Sequence, residues 1–406
     1  MADTAAPAPR AEKGVPGSVV AALTWLVALG LFASDLYLAS LPGIGRNLDA
    51  PLWVTQLTLT GFLMLLGLGQ FVAGPVTDAV GRRGPLLGGL VLFTGGSVLG
   101  WAAPDIGVLI LARLLQGIGS AIGVVVSNSM VRDFTQGPEA TRLYALLMSI
   151  AGFAPVVAPF FGGVIDQQWG WRAVFAVLAL MGALAFVISF RFLPESLPRE
   201  SRTAFHPASV IRSYLALFRH ARFVRPLLSL LALFVVLFGY VGGAPYAYQE
   251  HYGLSPTAFG AVIGATGVAA ALGPAIAHRL SRYLDGRTQA MLGTAVCVGG
   301  VACAAGAVHT RLPLAVVACL LAVSLIGLGI GDAPLFSSAM SSVDGSVGAA
   351  SAVIGGGQYL LAAGVTAVTG PLASASPTAW LGVLVIAALV ALACATRIGA
   401  DDVPVS

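Results

Sequence analysis

Charge is what this sequence has least of. Only 9% of its 406 residues are Asp, Glu, Lys or Arg, against roughly 25% in an ordinary soluble domain. With 57% apolar residues, the chain lacks the polar surface that would keep a soluble protein of this size dispersed. Lysine is almost missing, with Lys13 standing against twenty arginines among the 21 basic residues. Four cysteines, Cys297, Cys303, Cys319 and Cys394, form no CxxC pair, which removes a disulfide framework and leaves them as apolar filling. No HExxH, DDxxD or GxSxG occurs, and the five histidines are scattered outside the interiors of the apolar runs, so neither metal-assisted nor nucleophilic catalysis has its residues. No GxxxxGK[ST] phosphate loop is present either, which excludes ATP-driven transport within this chain. Period-2 alternation is absent, and with it the signature of a β-barrel.

What the sequence has is apolar runs of about 20 residues, the length that crosses a hydrocarbon core about 30 Å thick at about 1.5 Å per residue. Twelve can be counted, at 18–41, 52–75, 85–103, 106–130, 141–165, 172–193, 226–249, 256–277, 288–309, 312–336, 347–370 and 377–397. Each must be a helix, because only a helix satisfies its own backbone polar groups in lipid. The expected fold is an all-α membrane protein. No small-residue cleavage site follows the first run, so that run reads as a retained span. With the N-terminus in the cytoplasm, 17 of the 21 basic residues fall on the cytoplasmic side. The positive-inside bias therefore places both termini inside the cell membrane. The basic balance follows from topology and contact with anionic lipid, and implies no nucleic-acid partner.

The longest stretch without a span, 194–225, divides the runs six and six. It separates an N-terminal half (18–193, after a tail 1–17) from a C-terminal half (226–397, before a tail 398–406). Within it, HPASVIRSYLALFRH sets Val210, Ile211, Tyr214, Leu215, Leu217 and Phe218 against Arg212 and Arg219, a pattern that suits a helix lying on the cytoplasmic membrane surface. A weak internal repeat accompanies the division: Gly74-Pro75 returns as Gly273-Pro274, Gly117 and Gly119 as Gly327 and Gly329, and Pro159 as Pro371. Two pseudo-symmetric six-helix halves with a site between them are the mark of a secondary transporter.

Between spans 2 and 3 the chain reads GPVTDAVGRRGP, from Gly74 to Pro85. Gly81 permits a tight reversal, and Arg82 and Arg83 hold the turn on the cytoplasmic side. Asp78 is then placed to meet helix N-termini or arginines of the other half and keep the inner face closed. This loop resembles the signature of the major facilitator superfamily, with Ala79 where the family usually has a basic residue. RLLQGIG in span 4 and APVVAPFFGG in span 5 resemble the motifs of its drug:proton antiporters. In the second of these Ala154 and Ala158 stand where glycine is usual, and Pro155, Pro159, Gly162 and Gly163 are retained. SDLYLASLP (residues 34–42) and APYAYQEHYGLSPTAFG (residues 244–260) look like the bicyclomycin/chloramphenicol-resistance subfamily, with Ala39 where that subfamily generally has proline. The resemblance implies the twelve-span fold of that superfamily, proton-driven export and no bound cofactor. It also implies a cytoplasmic charge network joining Arg132, Asp133 and Arg142 to the loop.

Charge inside a span costs about 2.5–3.5 kcal/mol at the bilayer centre, and three charged residues lie well inside: Asp35, Arg113 and Asp332. Counting residues at 1.5 Å each puts Asp35 about 21 Å and Arg113 about 20 Å from the cytoplasmic face, so the two share a level and could pair or compete. Asp332 falls near the cytoplasmic end of span 10, where a role at the mouth is as reasonable as a coupling role. An aspartate that binds a proton, beside an arginine that opposes binding, is a means of exchanging a proton for substrate. Val27 occupies the position two turns before Asp35 where related exporters often carry a second acid. Further candidates to line a substrate cavity are Tyr37, Gln116, Ser120, Tyr240, Tyr246, Gln358 and Tyr359. The expected function is proton-coupled export of small hydrophobic drugs, chloramphenicol-like or bicyclomycin-like compounds first. The alternative is export of an endogenous metabolite, or proton-driven import of a nutrient, on the same fold. A monomer is expected.

Overall fold

The structure is a computed structural model that describes residues 15–135, 137–204, 206–343 and 347–398, nearly all of them helical. Twelve helices are long and apolar enough to cross a membrane. Spans 1 to 6 are Gly17–Asn47, Leu52–Val80, Arg83–Trp101, Ile106–Phe134, Arg142–Trp169 and Trp171–Phe192. Spans 7 to 12 are Ala221–His251, Pro256–Leu280, Gly286–His309, Leu314–Ser341, Gly348–Ala375 and Pro377–Ala395. Their starts are set by local chemistry: Asp105, Ser255, Asp285 and Ser376 each accept a backbone N–H from the first turn of the helix that follows, as N-cap residues do. Outward-facing Phe153, Leu180, Phe190 and Ile386 are each more than half exposed, a surface that lipid covers and water would not.

The helix neighbours repeat between halves. In the first half span 1 packs on spans 5 and 6, span 2 on span 4, and span 3 on spans 4 and 6. The second half has the same pairs six spans on: 7 with 11 and 12, 8 with 10, and 9 with 10 and 12. The halves meet where span 2 packs on span 11 and, by the same symmetry, span 5 on span 8. The twelve spans therefore form two pseudo-symmetric six-helix halves, as the repeat implied. Alternate connections place loops 2–3, 4–5, 6–7, 8–9 and 10–11 on one face, here called the basic face for Arg82, Arg83, Arg202, Arg279 and Arg282.

Two helices depart from the expected runs. Span 1 is broken: an α-helix Gly17–Asp35 stops, a 3-10 turn Leu38–Ser40 follows, and a second helix Leu41–Asn47 completes the crossing. Pro42, in the first turn of the second helix, has no N–H to give to the turn before it, and that turn is 3-10. Asp35 is thus the last residue before the break. Span 7 closes in a π-helical turn, Ala247–His251. The 6–7 connection contains the expected surface helix, Pro207–Leu217. Its apolar side chains divide, Tyr214 and Leu217 turning onto the protein while Ile211, Leu215 and Phe218 stay exposed.

Candidate functional site

The 2–3 loop forms a compact charge network. Gly81 has φ +104°, left-handed backbone that a side chain would resist, and a Cβ there would lie 2.6 Å from both Glu195 Oε2 and Arg202 Nη2. Arg82, 5% exposed, is the hub. It pairs with Asp78 four residues back and, through Nε, with Asp133 of span 4 at 3.3 Å. Ser196 donates to the same Asp133 oxygen at 2.6 Å. Glu195 accepts from the backbone N–H groups of Arg82 (2.8 Å), Arg83 (3.3 Å) and Leu197 (3.1 Å). Burial pushes its carboxyl up, but these three donors and Arg202 outweigh it and hold Glu195 below the ordinary glutamate value. Arg83 donates to the Phe190 carbonyl at 2.7 Å and lies over its ring. The loop therefore ties spans 2, 4 and 6 of one half together. Asp78 does not reach the other half in this conformation: Arg82, on the same turn, takes its carboxylate. Arg132 likewise bonds Ser129.

Arg113 and Asp35 share a level as the residue count implied, yet they are not paired. Arg113 is fully buried and donates to the carbonyls of Ala33 (2.9 Å) and Thr58 (3.3 Å) and to Gln116 Oε1 (2.8 Å). Its guanidinium lies 4.4 Å from the Tyr37 ring centre and 4.2 Å from that of Phe62. Carbonyl oxygens, the Gln116 amide oxygen and aromatic faces surround the cation, while its Nη2 has no hydrogen-bond partner. Asp35, 8% exposed, has the Ser34 hydroxyl 2.9 Å from Oδ1. Across the interface it lies within electrostatic range of Tyr359 on span 11. Tyr359 is half-buried and edge-on to Phe234 and Phe238 of span 7, with ring centres 6.4 and 5.8 Å away. An acid from one half thus has Tyr359 of the other near it, and Tyr359 in turn packs on Phe234 and Phe238.

Several expected cavity residues are instead buried in protein. Gln116 bridges Arg113 and the Ser97 hydroxyl (2.8 Å). The Tyr37 hydroxyl is bonded to that of Thr58. Ser120 is buried. Tyr240 hydrogen-bonds Thr266 at 2.9 Å and stacks on Trp380. Tyr246 is buried with an unpartnered hydroxyl, and Gln358 is also buried. In this conformation Gln116, Tyr37 and Tyr240 satisfy neighbours, as buried polar groups usually do, while the hydroxyls of Ser120 and Tyr246 have no partner. The sequence reading missed Phe234 and Phe238; their spacing of four on one face of span 7 was the available signal. Asp332 is also placed differently from expectation. Span 10 continues to Ser341, nine residues or about 13 Å further at 1.5 Å each, so Asp332 lies within the span with Oδ1 unpartnered.

The span 5 motif is a contact between halves. Its helix runs through Pro155 and Pro159. Within its own half a Cβ on Gly162 would run into the Leu36 carbonyl of span 1, and across the interface one on Gly163 would run into that of Pro256. Span 8 answers with Gly260 and Gly264, whose added Cβ atoms would meet the carbonyls of Pro159 and Val156 at 2.3 and 2.5 Å. Backbone therefore packs on backbone. Gln249 donates to the Ala39 carbonyl (2.9 Å) and Gln56 to that of Thr366 (2.8 Å), closing the halves on the face opposite the basic one. On the basic side a cavity of about 240 Å³ stands between them. It begins near Gln70 and Gly74, passes Asp78 and Arg132, and ends under Tyr214 of the surface helix.

The model of the Major Facilitator Superfamily matches residues 22–367. An uncharacterized MFS-type transporter, YdgK of Bacillus subtilis (strain 168), is 34% identical over 337 residues, 82% of this chain and 83% of that one. Multidrug resistance protein D of Escherichia coli (strain K12) is 30% identical over 52% of each chain. A chloramphenicol resistance protein of Pseudomonas aeruginosa is 35% identical over 42% of this chain and 40% of its own. These last two alignments thus span only 52% and 40% of the relatives they match. Among solved structures, a D-xylose-proton symporter superposes with a TM-score of 0.77 at 18% identity, over 95% of this chain and 97% of that one, a likeness of fold. The chain belongs to the Major Facilitator Superfamily, and within it is similar to bacterial members named for multidrug and chloramphenicol resistance.

Proposed function

We propose that this chain is a proton-driven exporter of small, mostly hydrophobic drugs, working by alternating access with its basic face in the cytoplasm. The observation that carries the proposal is Asp35, at the broken end of the first helix of span 1, near Tyr359 of the other half, with Phe234 and Phe238 packed on Tyr359. A carboxyl group on that interface can take a proton when the halves open to one side and release it when they open to the other. The aromatic rings opposite give a flat apolar body its contacts. A drug that seats between them competes for the acid with the proton, which couples the two fluxes. Inward proton movement gains about 2.3 kcal/mol per 100 mV of membrane potential, enough to drive export against a gradient without a bound cofactor. The names of the relatives support drugs as cargo, chloramphenicol-like compounds first.

Bacteria stripped of their own exporters and expressing the chain should accumulate less chloramphenicol than control cells. The difference should vanish with an uncoupler and with Asp35→Asn. Equal accumulation with and without the chain, across a panel of chemically varied drugs, would contradict drug export.

A further inference from the structure

The cavity on the basic side is separate from the Asp35 level. Gln70 lies twelve residues beyond Thr58 on span 2, about 18 Å nearer the basic face at 1.5 Å per residue, and Thr58 is the residue whose carbonyl Arg113 holds. Both halves and the surface helix line the cavity: spans 2 and 4 on one side, span 11 on the other, and Tyr214 at the outer end. The Tyr214 hydroxyl donates to the Phe71 carbonyl at 2.8 Å, which fixes that end in place. Valine and alanine side chains, Val124 and Ala349 among them, form much of the wall. At the inner end Gln70, 7% exposed, has a side-chain NH2 with no hydrogen-bond partner, while its Oε1 lies close against Gly355 of the other half. A buried donor left unpaired is costly and is usually explained by something that completes it. An enclosed apolar cavity of about 150 Å³ holds benzene; this one, about 240 Å³ with Asp78, Asn128 and Arg132 beside its apolar wall, has room for a ring with polar substituents.

We propose that this cavity is a second ligand site, a vestibule that holds substrate before it reaches Asp35. Its ligand is an uncharged amphiphile whose carbonyl, amide or nitro oxygen accepts from Gln70 while its ring lies on the valine and alanine wall under Tyr214. The proposal rests on the drug-export reading and deepens it, and its test separates the two. Ser351, exposed on the span 11 wall, is replaced by cysteine in the full-length chain, and its labelling by N-ethylmaleimide is followed at that peptide by mass spectrometry. Chloramphenicol is the probe, and its binding is measured in parallel by equilibrium dialysis. Bound probe should slow labelling of the Ser351→Cys chain severalfold. Gln70→Leu, or Gln70→Met should the first fail to fold, should abolish the protection and leave part of the binding. Asp35→Asn should keep the protection. Binding by dialysis without protection at position 351 would overturn the vestibule alone. Protection lost with Asp35→Asn and kept with the Gln70 variants would also overturn it, because the central site would then be acting on position 351 from a distance. Absence of binding in every form would overturn the drug-export reading for this probe, and the vestibule's ligand with it.

Discussion

Arg113 shows how an isolated charge is kept inside a membrane protein without an opposite charge beside it. Three acceptors and two ring faces surround it, and each hydrogen bond to a charged group contributes about 1.5–3 kcal/mol. Lysine keeps the charge but loses the planar fork and the stacking. Arg113→Lys should therefore lose at least one such bond, about 1.5–3 kcal/mol, read as a lower thermal unfolding midpoint in detergent. Glu195 makes a second residue-scale case. Its carboxyl is held low in the folded chain, burial raising it and the N–H donors of Arg82, Leu197 and Arg83 together with Arg202 lowering it further. A depressed folded value means that the stabilisation is full above the unfolded glutamate value and is lost as pH falls through the folded one. Amide exchange at Arg82 and Arg83, corrected for its intrinsic pH dependence, should accelerate on acidification in that window. Glu195→Gln should remove the acid step and leave both amides less protected at neutral pH.

At the scale of helices, the seam between spans 5 and 8 holds the two halves backbone against backbone. Carbonyls of Val156 and Pro159 lie where side chains on Gly264 and Gly260 would be, so the seam has no slack for a larger residue. Gly264→Leu should pry the two helices apart, abolish transport and expose the opposite face. A cysteine at Gln249, which now bonds the Ala39 carbonyl, should then react with a bulky impermeant thiol reagent several times faster than in the parent chain. Unchanged reactivity would show that the seam does not hold that face shut. The surface helix is placed to respond to the same motion: three residues separate it from span 7, and Tyr214 anchors it to span 2.

For the whole molecule, the twelve spans, their division into halves and the charge-bearing loop were legible because each rests on short-range signals: apolar length, arginine placement, and a glycine that must reverse the chain. Pairing was not legible. Arg113 was expected near Asp35, and it is, but its partners are backbone carbonyls that no side-chain pattern announces. Phe234, Phe238 and Tyr359 meet only because spans 7 and 11 pack together, and Asp35 lies near Tyr359 only because the two halves meet there. Gly260 and Gly264 were invisible as an interface until span 8 was seen against Pro155 and Pro159. Contacts between halves join residues separated by ninety positions or more, and helix packing angles, which residue spacing does not determine, select them. Asp332 was misplaced for a simpler cause, since polar serines in its last turns hid the true end of span 10.

Proton exchange through Asp35 is most directly read in inside-out vesicles carrying the wild-type chain or Asp35→Asn and energised to an acidic interior, with the gradient followed by a fluorescent dye. Adding chloramphenicol should dissipate the gradient in wild-type vesicles and leave it intact with Asp35→Asn. Equal dissipation in both would contradict the role given to Asp35 and shift the proton to another acid, Asp332 first.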